Sequence, residues 1–410
     1  HNPHIEAVEA VAYYQPRLAL DFAARLIEQG HGEVPGVCGM VRNAAFNLEY
    51  LEDACVLLWR AGRSDARAVH QQPSHGFRIL KELAEFAPQK PVECVERVVA
   101  FALDLLQRPA TLQGAYTPFS ILEGALRTDM EEVSSSGHTI TFTRYRLDLD
   151  LAKTVRERVI DAIVCSLRDG PPRKSFLAAQ LLSEALRSPM HDGENVEPWN
   201  AAHAQLLDRV RDVLDHPAVH PAVLLKVAQS VSWHALYNAG SVCQPRAKSI
   251  LALLDRDLPT RVVRLVVDAW GSDTWQDDES FDRKAHQADL AKTADDLSRE
   301  FFDAERLYGF MKHWLNEIDS VGGRGWGTPQ IFVETLMQKR PDLAKVVMAR
   351  QDDVQSPLSR FAGAALAMLM TDPNRHVLVA EILDTDSPRA WELVSEAYAR
   401  QAGEFFTKTD

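Results

Sequence analysis

No apolar run in this 410-residue chain approaches the ~18 residues a bilayer-crossing helix needs, so no membrane span is expected. No secretory signal peptide is visible. Cysteine is sparse: Cys38, Cys55, Cys94, Cys165 and Cys243 are odd in number, far apart and form no C-x-x-C pair. That usage speaks against a disulfide framework or a structural zinc site, and it predicts a reducing, cytoplasmic setting. The local signatures of common catalytic machinery are missing too. There is no G-x-x-x-x-G-K-[ST] phosphate loop, no G-x-S-x-G nucleophile elbow, no H-E-x-x-H zinc helix and no cysteine–histidine signature. An excess of positive charge is also lacking. At a net charge of −13 the chain on average repels nucleic acid and anionic membrane. It opens at His1-Asn2-Pro3 without a methionine and reads as an excerpt of a longer polypeptide.

What is present is ordinary globular composition, 46% hydrophobic and 25% charged, with apolar material for a large core. Its pattern is helical almost throughout. Leu18, Phe22, Leu26 and Ile27 make a stripe behind Pro16, which suits a first helical position, and Gly30 suits a C-cap. The same grammar recurs. Residues 48–61 carry Leu51, Ala54, Cys55 and Leu58; residues 91–107 carry Val95, Val98, Val99, Ala102, Leu105 and Leu106. Residues 151–168 carry Val155, Val159, Ile160, Ile163, Val164 and Leu167, closed by Gly170. Pro221 begins a helix to about Tyr237, Pro259 another, and residues 281–318 read as one or two long charged helices. Prolines at starts and glycines or prolines at stops recur every ~12–25 residues, the punctuation of stacked antiparallel helix pairs. The spacing drifts, so no strict repeat consensus emerges.

One stretch breaks the pattern. In residues 130–150, Thr139, Thr141, Thr143 and Tyr145 alternate with Ile140, Phe142 and Arg144, and Ser134, Ser135, Ser136 and Gly137 supply a turn before them. This predicts one inserted β-hairpin over about 130–147.

The paired stripes in AVEAVAYYQPRLALDFAARLIEQG and the leading proline in DLPTRVVRLVVDAW resemble HEAT/armadillo-like and TPR-like α-solenoids. That resemblance implies a long surface built by stacked helix pairs. More narrowly, RERVIDAIVCSL and KRPDLAKVVMARQDDVQSPLSRFAGAALAML are similar to helical sensor regions that follow the nucleotide-binding core of bacterial STAND-type NTPases. This likeness implies a sensor that recognises a foreign or partner protein and triggers an effector elsewhere in the polypeptide. The nucleotide-binding core itself is not in this sequence.

Several groups carry residue types that suggest chemistry. The glycines of 322–327 suggest an anion cradle but lack the lysine and Ser/Thr of a phosphate loop, which favours a plain connection. His216 and His220 are four apart, a zinc spacing on a helix, but Pro217 and Pro221 place them around a turn. Asp129, Glu131, Glu132 and His138 flank the hairpin turn; the second strand offers no acid and lysine for a nuclease site, which favours a solvated hairpin. Arg144, Arg146, Lys153, Arg156, Arg158, Arg168, Arg173 and Lys174 make the most basic stretch. It reads either as a patch for an acidic partner or as a solvated face paired to Asp148, Asp150, Glu157 and Asp161. Trp233 and Tyr237 read as partner anchors or as wedges between helices.

The expectations are these. The fold is all-α, an irregular α-solenoid of stacked antiparallel helix pairs with one inserted hairpin, divided as 1–128, 129–150, 151–271 and 272–410. The function is protein recognition or scaffolding, as in the sensor part of a larger bacterial defence or signalling protein. Alternatives are a nucleic-acid-binding HEAT-like repeat or an enzyme with a motif-less site between helices. Partner-binding candidates are Arg144, Tyr145, Arg146, Arg156, Trp233 and Tyr237. No catalytic, cofactor-binding or metal-ligating residue and no cofactor is assigned. A protein partner is expected, and neither nucleic acid nor membrane.

Overall fold

A computed structural model of the chain describes residues 11–32, 34–64, 74–88, 90–114, 116–136, 139–189, 197–267, 283–321, 330–370, 374–385 and 387–407. The glycine loop 322–327, the acidic segment 271–280, Trp270 and His138 lie outside the described residues. The chain divides into two compact units.

The first unit is His1–His216 with Asn238–Arg246. Its helices are α1 (Pro16–Glu28), α2 (Pro35–Ala45), α3 (Leu51–Ser64), α4 (His75–Ala84), α5 (Val92–Leu105), α6 (Pro118–Ala125), α7 (Leu149–Asp169), α8 (Pro172–Ala185) and α9 (Glu197–Leu214). Proline stands in the first turn of α1, α2, α6 and α8, where its missing N–H costs nothing. Helix α1 ends into Gly30, whose φ of 86° suits glycine. Its buried stripe is Ala19, Leu20, Ala23 and Ile27, so the expected stripe is rotated and Leu18 is exposed. Helix α2 was not anticipated. It buries Val37, Cys38, Met40, Val41, Ala44 and Ala45 behind Pro35.

From α1 to α8 each helix packs on its neighbour in sequence, and helices also pack on the next but one, as in α1–α3, α2–α4, α3–α5, α4–α6, α6–α8 and α7–α9. This is the packing of stacked helix pairs. Ion pairs mark the step: Arg42 with Glu82, Lys81 with Glu123 (2.6 Å), Asp161 with Arg209 (2.6 Å) and Asp208 with Arg246 (2.8 Å). The partners stand 38 to 48 residues apart, so one helix pair occupies about that length. All are part-exposed, and such pairs are worth ~0–1 kcal/mol each, so apolar burial holds the stack while the pairs fix its register.

Between α6 and α7 the backbone forms a two-stranded antiparallel ladder, β1 (Asp129–Ser136) with β2 (Thr139–Arg146). Ser134, Ser135 and Ser136 belong to the first strand, opposite Thr141, Ile140 and Thr139, and not to the turn. The expected hairpin insertion between two separate arrays is corrected. Helices α5 and α6 before it pack directly on α7 and α8 after it, and the Leu147 amide donates to the Thr128 carbonyl (2.9 Å) at its base. The helical stack therefore runs through this point, the strands pair only with each other, and the hairpin is no layer of the fold.

The second unit is Pro217–Tyr237 with Ala247–Asp410. It contains α10 (Pro221–Leu236), while α11 (Gln244–Leu251) carries the unit boundary. Then follow α12 (Leu258–Val267), α13 (Arg283–Glu300), α14 (Ala304–Val321), α15 (Gln330–Lys339), α16 (Pro341–Ala349), α17 (Ala362–Leu369), α18 (Arg375–Leu383) and α19 (Ala390–Thr407). The next-but-one rule holds here too, in α10–α12, α12–α14, α13–α15, α14–α16, α15–α17 and α17–α19. Among the described residues no helix is long and apolar enough to cross a membrane.

A second device recurs in both units. The last carbonyls of a helix lack intrahelical partners, and a cation can close them. Lys90 donates to the Glu82 and Glu85 carbonyls at the end of α4, and Arg340 to the Phe301 and Phe302 carbonyls at the end of α13.

Candidate functional site

The basic stretch, read either as a partner patch or as a solvated face, does not gather into one patch among the described residues. Arg156, on α7, is only 4% exposed. Its Nη1 donates to the Leu126 carbonyl, which caps α6, and its Nη2 to the Ala185 carbonyl, the last of α8 (3.1 Å). Its guanidinium lies over the buried Trp199 ring of α9, 4.8 Å from the centroid. Each helix C-terminus carries about half a negative charge, so the two together offset about one guanidinium. This is how a buried cation persists here without a carboxylate. Burial pushes its pKa down to about 10, which leaves it protonated at neutral pH. Arg156 therefore joins four helices and is corrected from partner-binding to structural.

The rest of the stretch is dispersed. Arg168 pairs with Asp169 (2.9 Å), and Arg173 donates to the Gly114 carbonyl (3.3 Å). Lys153 and Arg158 are exposed. Asp161 pairs with Arg209 of α9 instead of a cation of its own stretch, and Asp148 caps α7 by accepting from the Asp150 amide (3.0 Å). Arg144, Tyr145 and Arg146 stand on β2, opposite Glu131, Met130 and Asp129 in register. Their side chains lie outside the described residues.

Above Arg156 a cleft of about 460 Å³ opens between α7 and α9. Asp150, Lys153, Glu157, Asp161, His203 and Arg209 contribute to its lining, with Ile160, Ala201, Ala202 and Leu206 as apolar wall. The size falls within the ~300–1,000 Å³ of ligand pockets. Two of its cations are taken up structurally, Arg156 by two helix ends and Arg209 by Asp161.

The cysteines are all free thiols. Burial pushes the Cys55 and Cys94 thiols well up, which disfavours the thiolate a nucleophile needs. Among the described residues no group of three or more His, Cys, Asp or Glu side chains is placed to hold a metal ion. His220 instead caps α10, its Nδ1 accepting from the Ala222 amide (3.1 Å).

The aromatic candidates behave differently. Trp233 and Tyr237 lie one turn apart at the end of α10, where the Tyr237 amide donates to the Trp233 carbonyl (2.9 Å). That spacing puts both on one face. Trp233 is 49% exposed and Tyr237 47%, and beneath them the helix buries His234 and Ala235. The Trp233 ring meets His234 edge-on at 5.0 Å. Two large rings are thus held on a packed helix with half their surface in water. The pair is visible in the sequence, but Arg156 and Arg340 as caps of helix ends are not, because their carbonyl partners lie tens of residues away.

No protein-family model, curated protein or solved structure matches this chain.

Proposed function

We propose that this chain is a protein-recognition or scaffold module that engages a protein partner through a surface including Trp233 and Tyr237. The observation that carries this reading is the half-exposed aromatic pair fixed one turn apart on α10. Tryptophan and tyrosine dominate interface hot spots because they bury much area at little entropic cost. The stacked pairs support it from the side of architecture. Their step of 38 to 48 residues is close to the ~40–47 of HEAT and armadillo repeats, whose surfaces bind proteins. On this reading the chain is an α-solenoid used for recognition, as in the sensor region of a larger defence or signalling protein. The net charge of −13 favours a protein over a nucleic acid.

The test is quantitative capture on immobilised protein, comparing the parent, the double variant Trp233→Ala/Tyr237→Ala and Trp391→Ala, which removes a 76% exposed tryptophan of α19. The parent and the α19 control should retain the same discrete proteins, and the double variant should lose them by about 30-fold or more, the scale of a hot-spot loss. Equal retention by the double variant, or no retention by the parent, would overturn the proposal.

A further inference from the structure

The first turn of α10 has an unusual donor account. Pro221 has no N–H. The Val223 and Leu224 amides donate to the His220 carbonyl (2.9 and 3.1 Å). That leaves the buried Ala222 amide, which donates to His220 Nδ1 (3.1 Å). A ring nitrogen accepts only while it lacks a proton, so this cap exists only in the neutral imidazole with its proton on Nε2. Nε2 lies 3.5 Å from Glu317 Oε2 on α14. The ring is pressed against Trp314 of the same helix, centroids 5.8 Å apart.

We propose that His220 is an acid-released latch: neutral, it closes the first turn of α10; protonated, it lets go of the Ala222 amide and turns to Glu317. Protonation would place a positive N–H against both that amide and the positive end of the α10 dipole. The groups around the ring set the pH at which this happens. From α14, Glu317 favours the cation and His313 opposes it. Ahead of α12, Arg256 donates to the Val219 carbonyl (2.6 Å) and pairs with Asp257 (2.9 Å), beside the latch. On α12, Arg261 is paired with Asp296, and Arg264 with Asp255 and Asp289. On α10 itself, Lys226 lies in the second turn. Burial is the largest influence and holds the His220 pKa below the ordinary histidine value. The sign follows: the cap's contribution is full above the unfolded-state value of about 6.5 and is lost as pH falls through the lower folded value. The latch does not depend on the partner reading, because the contacts of His220 with Ala222, Glu317 and Trp314 all lie within the chain itself.

Hydrogen exchange of residues 219–226, corrected for intrinsic pH dependence, tests it. Between about pH 7.5 and about pH 5, parent protection should fall about tenfold or more, while His220→Asn, a cap that does not titrate, holds within about twofold. Glu317→Gln should move the release to lower pH and His313→Gln to higher pH. These folded variants keep the test open if His220→Ala fails to fold. Unchanged parent protection, an equal fall in His220→Asn, or shifts of the opposite sign would overturn the proposal.

Discussion

Arg156 concentrates the physics of the first unit in one side chain. It satisfies carbonyls at the ends of two helices, covers Trp199 and stays charged while buried. Removing one member of such a buried, charge-compensated set costs about 3–5 kcal/mol. Arg156→Ala should therefore lower unfolding stability by that amount in urea titration. Arg156→Met, which refills volume but leaves the carbonyls orphaned at about 1–3 kcal/mol each, should also destabilise. A loss under about 1 kcal/mol for the alanine variant would show that solvent reaches the two helix ends and that the cation is not structural. The sequence sets Arg156 next to Val155 of the apolar stripe, where it reads only as one cation of a basic stretch. It could not show Leu126 and Ala185 converging on it, because those carbonyls belong to helices on either side of the hairpin and of α7. Trp233 and Tyr237 were more legible. Their spacing on a helix is local, and only their exposure had to come from packing.

At the scale of elements, close helix approach rests on particular glycines. Gly124 of α6 faces α4 so closely that a Cβ would overlap the Lys81 carbonyl. Gly309 of α14 has open space around the same position. Gly124→Ala should cost about 1–3 kcal/mol through overpacking. Gly309→Ala should be neutral or stabilising by up to about 1 kcal/mol, since alanine suits an exposed helix interior better than glycine. Thermal melts of the two variants compare them directly, and equal shifts would mean that α4 and α6 have slack between them. Helix starts were well marked in the sequence because proline fixes φ and needs no acceptor, as Pro16, Pro221 and Pro341 show. The α2 helix was obscured by Gly36 and Gly39, which weaken a helical reading although Val37, Met40, Val41 and Ala44 carry the stripe. The rotation of the α1 stripe has a similar origin. Small Ala19 and Ala23 face the neighbouring helix, where a ranking by hydrophobicity favours Leu18 and Phe22.

At the scale of the whole molecule, each unit repeats one step, a helix packed against the next but one, as in α3–α5, α4–α6, α10–α12 and α17–α19. This step was legible as proline and glycine punctuation, but its length was not. The step is carried by pairs such as Lys81–Glu123 and Arg246–Asp208, which no local window contains. Such a stack offers surface in excess of what its own core needs, and on the proposed reading the half-exposed rings on α10 are the part of it that meets a partner. The most direct measurement is site-specific photo-crosslinking in living cells, with a photoreactive phenylalanine derivative placed at Tyr237 and, separately, at Trp391. A discrete protein adduct from position 237 that position 391 does not give is the predicted result. No adduct from position 237, or the same adducts from both positions, would contradict recognition through α10.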